Sequence, residues 1–238
     1  MHNFTNKEIL NWHAFLQLKA LQSKNKHLYE FYKKGTYHDE TKLSDIEFVA
    51  LDFETTGLDS KQNSIISIGL VPFDLQRIYC RKAKKWYINP EDNLKENSII
   101  IHGITHSDLQ GAPDLLSILE PLLKELAGKV VVVHYRRIER DFFDLDLRAQ
   151  LKEGIIFPVI DTMQIEADVQ NKYSKGFINW LKGHQSESIR LANSRVRYNL
   201  PAYSPHDALT DAIATAELLQ AQIKYHFNED TPIKELWL

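Results

Sequence analysis

The chain has 238 residues, of which 43% are hydrophobic and 26% charged, values ordinary for a globular protein with one compact domain and an extension. A single cysteine, Cys80, excludes an internal disulfide and a cysteine-based zinc site, and suits a cytoplasmic location. The formal net charge of −3 disfavours a protein that coats long nucleic acid. The start of the chain has no signal-peptide pattern and no apolar run approaches the roughly 20 residues of a membrane span, so we expect no membrane partner.

The first 44 residues are predicted to form a helical extension. Leu10, Phe15 and Leu18 recur at helix-like spacing, and the polar stretch after Gly35 is typical of a boundary. We therefore expect two units, an N-terminal helical extension at 1–44 and a main domain at 45–238.

The main domain alternates strand-like and helix-like patterns. Three predicted strands come first, and helices then alternate with strands, which indicates an α/β protein with a mixed five-stranded sheet flanked by helices. The predicted strands are 48–53, 65–73, 77–88, 130–133 and 158–161, and the predicted helices are 115–126, 138–151 and 207–225.

Two acids interrupt the first strand pattern, in the stretch FVALDFETTGLD at 48–59. Residues two apart in a strand share a face, so Asp52 and Glu54 are expected to project together while Phe53 points into the core. Two buried carboxylates repel each other unless a cation joins them, and oxygen-only ligands favour Mg²⁺ or Mn²⁺ over zinc. A pair of solvated acids at a strand end is the competing interpretation of this short pattern.

A second acidic segment, HDALTD at 206–211, opens the last predicted helix. Asp207 is a suitable N-cap, which leaves His206 just outside the helix. Asp211 falls on the face that carries Ala208, Thr215 and Leu218, so it is expected to point inward and to require a counter-charge.

A third segment, VVVVHYRRIERDFFD at 130–144, contains two competing acids. Glu139 falls between Phe142 and Phe143 on a helical projection and is the inward candidate. Asp141 falls on the more polar side, where pairing with a neighbouring arginine is the simpler interpretation.

These segments together resemble the DEDDh 3′–5′ exonucleases, the family of the epsilon proofreading subunit of bacterial DNA polymerase III. The stretch DFETTGLD at 52–59 resembles the first motif, and HDALTD at 206–211 the third. The stretch IHGIT at 101–105 is similar to a loop that precedes the second motif. The resemblance spans roughly residues 46–226, with the motifs in the family's order.

The second motif departs from the family pattern. Glu139 stands where the family has aspartate, and Arg136 and Arg137 replace small residues. A glutamate is one methylene longer and still offers a carboxylate, so the departure bears on efficiency more than on reaction type.

The resemblance implies a ribonuclease H-like fold and a two-metal hydrolysis of phosphodiester bonds, with two Mg²⁺ or Mn²⁺ ions. It assigns Asp52 as the ligand shared by both ions, Glu54 and Asp211 as further ligands, and Glu139 as a ligand on the second ion. His206 is implied as the general base, a role that histidine side chains commonly fill near neutral pH.

The resemblance also implies a pocket for the 3′-terminal nucleotide of single-stranded DNA or RNA. The residues expected to shape it are Thr55, Thr56, Gly57, Leu58, His102 and Ile104. For Leu58, simple packing of the loop is an equally good interpretation.

Two other functions compete with the nuclease. One is a catalytically weak module that binds nucleic acid without cutting it, which the substitution at Glu139 supports. The other is a subunit associated with a polymerase, for which residues 1–44 could bind the polymerase or another protein partner. The four remaining motif residues favour the enzyme, and deoxyribose cannot be told from ribose at this level.

Overall fold

The computed structural model describes residues 11–90, 104–174 and 187–238, and its centre is a five-stranded sheet in the order β3-β2-β1-β4-β5. The antiparallel strands β1, β2 and β3 form one half, and β4 and β5 continue from β1 in parallel. The strands are β1 (Phe48–Thr55), β2 (Ile65–Phe73), β3 (Lys84–Tyr87), β4 (Val130–Val133) and β5 (Val159–Asp161). The predicted mixed sheet is therefore confirmed.

Helices cover both faces of this sheet. The α-helices of the described ranges are α1 (Trp12–Gln22), α2 (Lys26–Lys34), α3 (His106–Leu109), α4 (Leu115–Leu126), α5 (Arg137–Leu151), α6 (Thr162–Ser174), α7 (Leu191–Arg197) and α8 (Ala208–His226). None of them is both long and apolar enough to cross a membrane.

Two apolar clusters hold the layers together. One lies between the sheet and helices α2, α4 and α5, and the other lies between the sheet and α8. Every residue of β2 is buried because both of its faces are covered, so the strand reads as the continuous apolar run IISIGLVPF instead of an alternating pattern.

The third strand is much shorter than the sequence predicts. The prediction of a strand over 77–88 is wrong for its first half, because Asp74 Oδ1 accepts the N–H groups of Gln76 and Arg77 at 2.7 Å and turns the chain. Ile78 makes only an isolated bridge with Phe73, a 3₁₀ turn at Cys80–Lys82 follows, and the ladder with β2 is formed by Lys84–Tyr87. Side-chain-to-backbone bonds of this kind compete directly with a strand ladder.

The N-terminal helices contribute to the same cores as the sheet. Leu28, Phe31 and Tyr32 of α2 are buried against α4 and the sheet, and the Tyr32 hydroxyl accepts the backbone N–H of Ile156 at 3.1 Å. Trp12 of α1 belongs to the cluster on the opposite face. The helices at 11–34 are thus packed on the sheet.

Replacing Leu28 by alanine tests this packing. Leu28 is fully buried, so Leu28→Ala should cost about 2–5 kcal/mol of unfolding free energy through lost contacts and a residual cavity. In a chain of this size that corresponds to a fall in Tm of roughly 5–15 °C, measured by circular dichroism. Leu21 of α1 is 84% exposed and serves as the matched control, because Leu21→Ala should shift stability by no more than about 0.5 kcal/mol. Equal small shifts in both variants would show that α2 unfolds independently of the sheet.

Candidate active site

The C-terminal end of β1 delivers two carboxylates to one edge of the sheet. Asp52 and Glu54 share a face of the strand, and Phe53 between them packs edge-on against Phe143 of α5, with the two ring centroids 5.9 Å apart. The strand runs two residues beyond its predicted end, and its register with β2 shifts between Glu54 and Thr55. This irregularity ends the regular pairing just beyond the acids, as bulges beside functional sites commonly do.

The start of α8 adds a third carboxylate. Asp207 is the N-cap, as predicted, with Oδ1 accepting the N–H of Thr210 at 3.0 Å and Oδ2 paired with Lys85 of β3. Asp211 lies one turn later, and its Oδ2 accepts the N–H groups of His206 at 2.8 Å and Asp207 at 3.2 Å. These backbone donors fix the orientation of the Asp211 carboxylate.

A glycine in β2 allows α8 to come close to the sheet. Gly69 pairs directly with Asp52, and a Cβ atom built on it would lie 2.2 Å from the carbonyl carbon of Ala208. No real Cβ tolerates that separation, so any larger residue would push the first turn of α8 away from β1. Gly69 therefore sets the distance between β1, which carries Asp52 and Glu54, and the start of α8, which carries Asp211.

Asp52, Glu54 and Asp211 meet in one cluster. Each offers a carboxylate oxygen that lies within 4.8 Å of the oxygens of the other two. Desolvation, and then the negative charges of Glu139, Asp211 and Glu54, raise the pKa of Asp52 well above its ordinary value, although its side chain is only half-buried. Burial likewise raises the pKa of Asp211, against the opposing effect of its hydrogen bonds. Three convergent carboxylate oxygens are the donor set that a hard divalent cation requires, so the residues fit such an ion.

Glu139, on the first turn of α5, approaches the cluster from the side of β4. It is 1% exposed, and its Oε2 is a buried oxygen without a hydrogen-bond partner in the described ranges. Burial raises the pKa of Glu139 well above its ordinary value, with Asp161 and Glu54 adding to the effect and the N–H of Phe53 opposing it. Asp141 lies on the outside of α5, with a side chain 51% exposed and paired at 3.9 Å with Arg137. The structure thus turns Glu139 inward and Asp141 outward.

A polar network holds the segment that precedes Glu139. The carboxylate of Asp161, at the end of β5, accepts the N–H groups of Tyr135 and Arg136 at 3.0 and 3.1 Å. The ring of His134 contacts Thr162 Oγ1 at 2.8 Å, and burial lowers its pKa to about 4, so the imidazole is neutral at physiological pH. His134 therefore has a structural role, linking the end of β4 to the start of α6.

His206 lies at the mouth of the cluster. It is exposed, and its backbone adopts a left-handed conformation with φ at 73°. Left-handed backbone is uncommon for a residue other than glycine, and it persists here because the N–H of His206 is bonded to Asp211. The side chain that was predicted as the general base is thus attached, through its own backbone, to one of the predicted metal ligands.

Tyr203 also contacts the cluster and was not predicted. Its hydroxyl hydrogen bonds the carboxylate of Asp211, and its ring lies under the guanidinium of Arg195 at 5.0 Å. Arg195 is 3% exposed and pairs with Glu217 at 2.7 Å. Only its position three residues before His206 could have drawn attention to Tyr203 in the sequence.

Thr55, the last residue of β1, and the loop that follows it provide four of the residues predicted to bind substrate. Thr55 is buried, and its hydroxyl donates to the carbonyl of Gly57 at 2.7 Å. The hydroxyl of Thr56 accepts the N–H of Ser64 at 3.0 Å, which closes the loop on itself. Leu58 is 85% exposed beside this turn, so its side chain is available for contact.

Ile104 and His102 are the two remaining residues predicted to line the pocket. Ile104 is 6% exposed and packs with Ile66 and Leu109 in a small apolar cluster, so its side chain is not presented to solvent. His102 lies outside the described residues.

Comparisons with known proteins agree with this fold and site. A family model for exonucleases, RNase_T, matches residues 49–219. The DNA polymerase III epsilon subunit of Treponema pallidum is 27% identical over 185 residues, which cover 78% of this chain and 80% of the relative. The PolC-type DNA polymerase III of Halalkalibacterium halodurans is 28% identical over 76% of this chain, but this region is only 12% of that much longer protein.

Solved structures show the same architecture. The cell-death related nuclease CRN-4 superposes with a TM-score of 0.61 at 19% identity, covering 78% of this chain and 67% of that one. The nuclease domain of 3′hExo, a DEDDh family member, superposes with a TM-score of 0.59 at 18% identity, covering 76% and 92%. The ribonuclease H-like fold is therefore confirmed. Because the family match spans well over half of its length, the chain belongs to the RNase_T exonuclease family and is a 3′–5′ exonuclease enzyme.

Proposed function

We propose that this protein removes nucleotides one at a time from the 3′ end of single-stranded DNA or RNA, using two Mg²⁺ or Mn²⁺ ions. The observation that carries the proposal is the convergence of Asp52, Glu54 and Asp211 within 4.8 Å, with an unpartnered oxygen of Glu139 beside them. Three negative charges held that close are unfavourable in the protein alone, and cations are the simplest compensation.

The electrostatics of the cluster support the roles that the family resemblance implies. The charges of Glu139, Asp211 and Glu54 all act on Asp52, which supports Asp52 as the shared ligand. Glu54 and Asp211 would complete one site, and Glu139 would support the second. Bound cations would neutralise the phosphoryl oxygens and make the attacking water more acidic. His206, exposed at the mouth of the cluster, would accept the proton from that water.

The loop after β1 is suited to hold the terminal nucleotide. Its closed shape presents Leu58 outward, where the side chain can contact a base. Glycine is required at position 57 of the turn, because a Cβ atom there would lie 2.6 Å from the side chain of Asn63. Thr55 and Thr56 hold this turn in place. We include His102 and Ile104 in the proposed pocket only through the family resemblance.

A module that binds nucleic acid without cleavage is the second candidate. The glutamate at position 139, in place of the family's aspartate, is the observation that favours it, because a longer side chain places its carboxylate differently. Glu139 nevertheless reaches the side of the cluster and is fully enclosed, which supports a role as ligand.

Association with a polymerase is a further proposal, supported by the similarity to epsilon and PolC-type chains. Within the described part of the proposed extension at 1–44, the outer face of α1 offers a surface for a partner, because Leu18 is 51% and Leu21 84% exposed there. The main domain, proposed as 45–238, would carry the nuclease site.

The first experiment incubates the protein with single-stranded DNA and RNA labelled at the 5′ end, with Mg²⁺, Mn²⁺ or EDTA. Stepwise shortening from the 3′ end is expected only with metal, and Asp52→Ala should lower the rate at least about 10³-fold because a shared ligand is lost. His206→Ala should lower kcat by about 10²–10⁴-fold, the usual contribution of a general base. If the substrate stays at full length, as a single band, under all metal conditions, the proposal is contradicted.

Substitution at position 139 separates the two candidate functions. If Glu139 is a ligand, Glu139→Gln should abolish cleavage and weaken metal binding, measured by calorimetry with Mn²⁺, because the amide carries no charge. Asp141→Asn is the matched control on the outer face of the same helix and should leave cleavage unchanged. A wild-type protein that binds oligonucleotides but cuts none would favour the binding module.

Thermal stability provides a test of the cluster that does not depend on activity. A carboxyl whose pKa is raised on folding costs no stability below its unfolded pKa near 4, and the cost grows as pH rises towards the folded pKa and persists above it. In EDTA at pH 7.5, Asp52→Asn should therefore raise Tm, because the repulsion is relieved. The wild-type Tm should rise on adding Mn²⁺ and that of Asp52→Asn should rise much less. A variant that is less stable than wild type in EDTA would show that the Asp52 charge is already compensated within the protein.

A further inference from the structure

We propose that the segment 134–137, which consists of the loop after β4 and the first residue of α5, is a binding site for the substrate strand behind its terminal nucleotide, with Tyr135 stacking on a nucleobase and Arg137 contacting a phosphate. The inference rests on the proposed function for the identity of the strand. It gives a role to Tyr135 and Arg137, two residues of this segment that have no part in the carboxylate cluster.

The sheet places this loop beside the carboxylates. β4 runs parallel to β1, with Ala50 opposite Val132, and β4 ends one residue later at Val133. Continuing the register by two residues brings the start of the loop level with Asp52, on a neighbouring strand about 4.8 Å away. The loop therefore begins at the same edge of the sheet as the cluster, on the side away from β2.

The backbone of Tyr135 is held in a conformation that turns the ring outward. Its φ of 79° is in the left-handed region, which is uncommon for a bulky residue. The conformation persists because both oxygens of the buried Asp161 accept the N–H groups of Tyr135 and Arg136, and the guanidinium of Arg136 adds a third bond at 3.0 Å. Tyr135 as a whole residue is left 38% exposed. An aromatic residue is thus accessible to solvent on a backbone that Asp161 holds in place.

Arg137 supplies an adjacent positive charge. Its side chain is 72% exposed, and its contact with Asp141 is long, at 3.9 Å, and also exposed. Pairs of this kind contribute little, so an incoming phosphate can displace Asp141 at small cost. The guanidinium of Arg136, in contrast, forms a salt bridge with the buried Asp161.

An aromatic face next to an exposed cation is the combination by which proteins bind single strands without reading their sequence. Every base has a face to stack, so this site would act on DNA and RNA alike. In a chain with a net charge of −3, a local site of this kind also explains how a strand could be held without a broadly basic surface.

The test measures binding and turnover separately. Binding of fluorescein-labelled oligothymidylate and oligouridylate is followed by anisotropy in Ca²⁺, and turnover in Mn²⁺ is compared with that of thymidine 5′-monophosphate p-nitrophenyl ester, which fills only the terminal nucleotide position. Tyr135→Asn removes the ring with a residue that tolerates left-handed backbone. We expect oligonucleotide affinity to fall by roughly 5- to 100-fold, and the loss of kcat/KM on the ester to be much smaller than on the oligonucleotide.

Three further variants sharpen the result. Tyr135→Phe keeps the ring and should restore most of the affinity lost in Tyr135→Asn. Tyr225→Asn is the matched control, because Tyr225 is 63% exposed on α8 and lies about 20 Å along the helix from Asp211. Arg137→Gln should reduce the slope of log affinity against log salt by about 0.7, the value for one phosphate contact to a single strand.

Each outcome bears on one proposal. Unchanged oligonucleotide affinity in Tyr135→Asn, or equal losses on oligonucleotide and ester, would overturn the strand-binding role, the second because it points to a general distortion of the site. A wild-type protein that binds oligonucleotides through Tyr135 but cleaves nothing would overturn the proposed nuclease function and leave this inference standing.

Discussion

Repulsion among buried carboxylates is the constraint on which this structure depends. Asp52, Glu54 and Asp211 come from two elements far apart in the chain, and their oxygens are held within 4.8 Å of one another at a cost to the metal-free protein. Bringing them together requires support that does not itself neutralise them. The backbone N–H groups at the start of α8 orient Asp211, the lysine of β3 secures the N-cap, and the glycine of β2 admits the helix. Much of the local structure is therefore explained by the need to hold like charges in place.

Apolar packing in the rest of the fold offsets the unfavourable repulsion among these carboxylates. The sheet is covered on both faces, by α2, α4 and α5 on one side and by α8 on the other, so that β1 is anchored over most of its length. The N-terminal helices take part in this covering, with Tyr32 and Leu28 fully enclosed. A strand that ends in two acids can remain ordered only because the apolar residues before them are so well packed.

The segment at 130–144 shows how a departure from a family pattern can be accommodated. Glutamate at position 139 is enclosed and turned towards the cluster, and the arginine at 136 is held by Asp161 at the end of β5. Asp161 also raises the pKa of Glu139, so the network that orders the loop and the group that would bind metal are electrostatically linked. Changes in this segment therefore act on the loop and on the cluster together.

The sequence by itself determined the sheet, most of its strands and the candidate ligands, because the signals involved are local. Alternation places Asp52 and Glu54 on one face, helical projection separates Glu139 from Asp141, and the motif order names the family. It failed for the third strand, where Asp74 turns the chain through bonds to its own neighbours.

Only the tertiary structure decided which distant groups meet. It brings Tyr203 onto Asp211, Lys85 onto Asp207, and α8 against Gly69. It also exposes Tyr135 in the loop that begins level with Asp52. Such contacts depend on strand register and helix approach, which are set by the packing of the whole core and leave no periodic trace in the residues concerned.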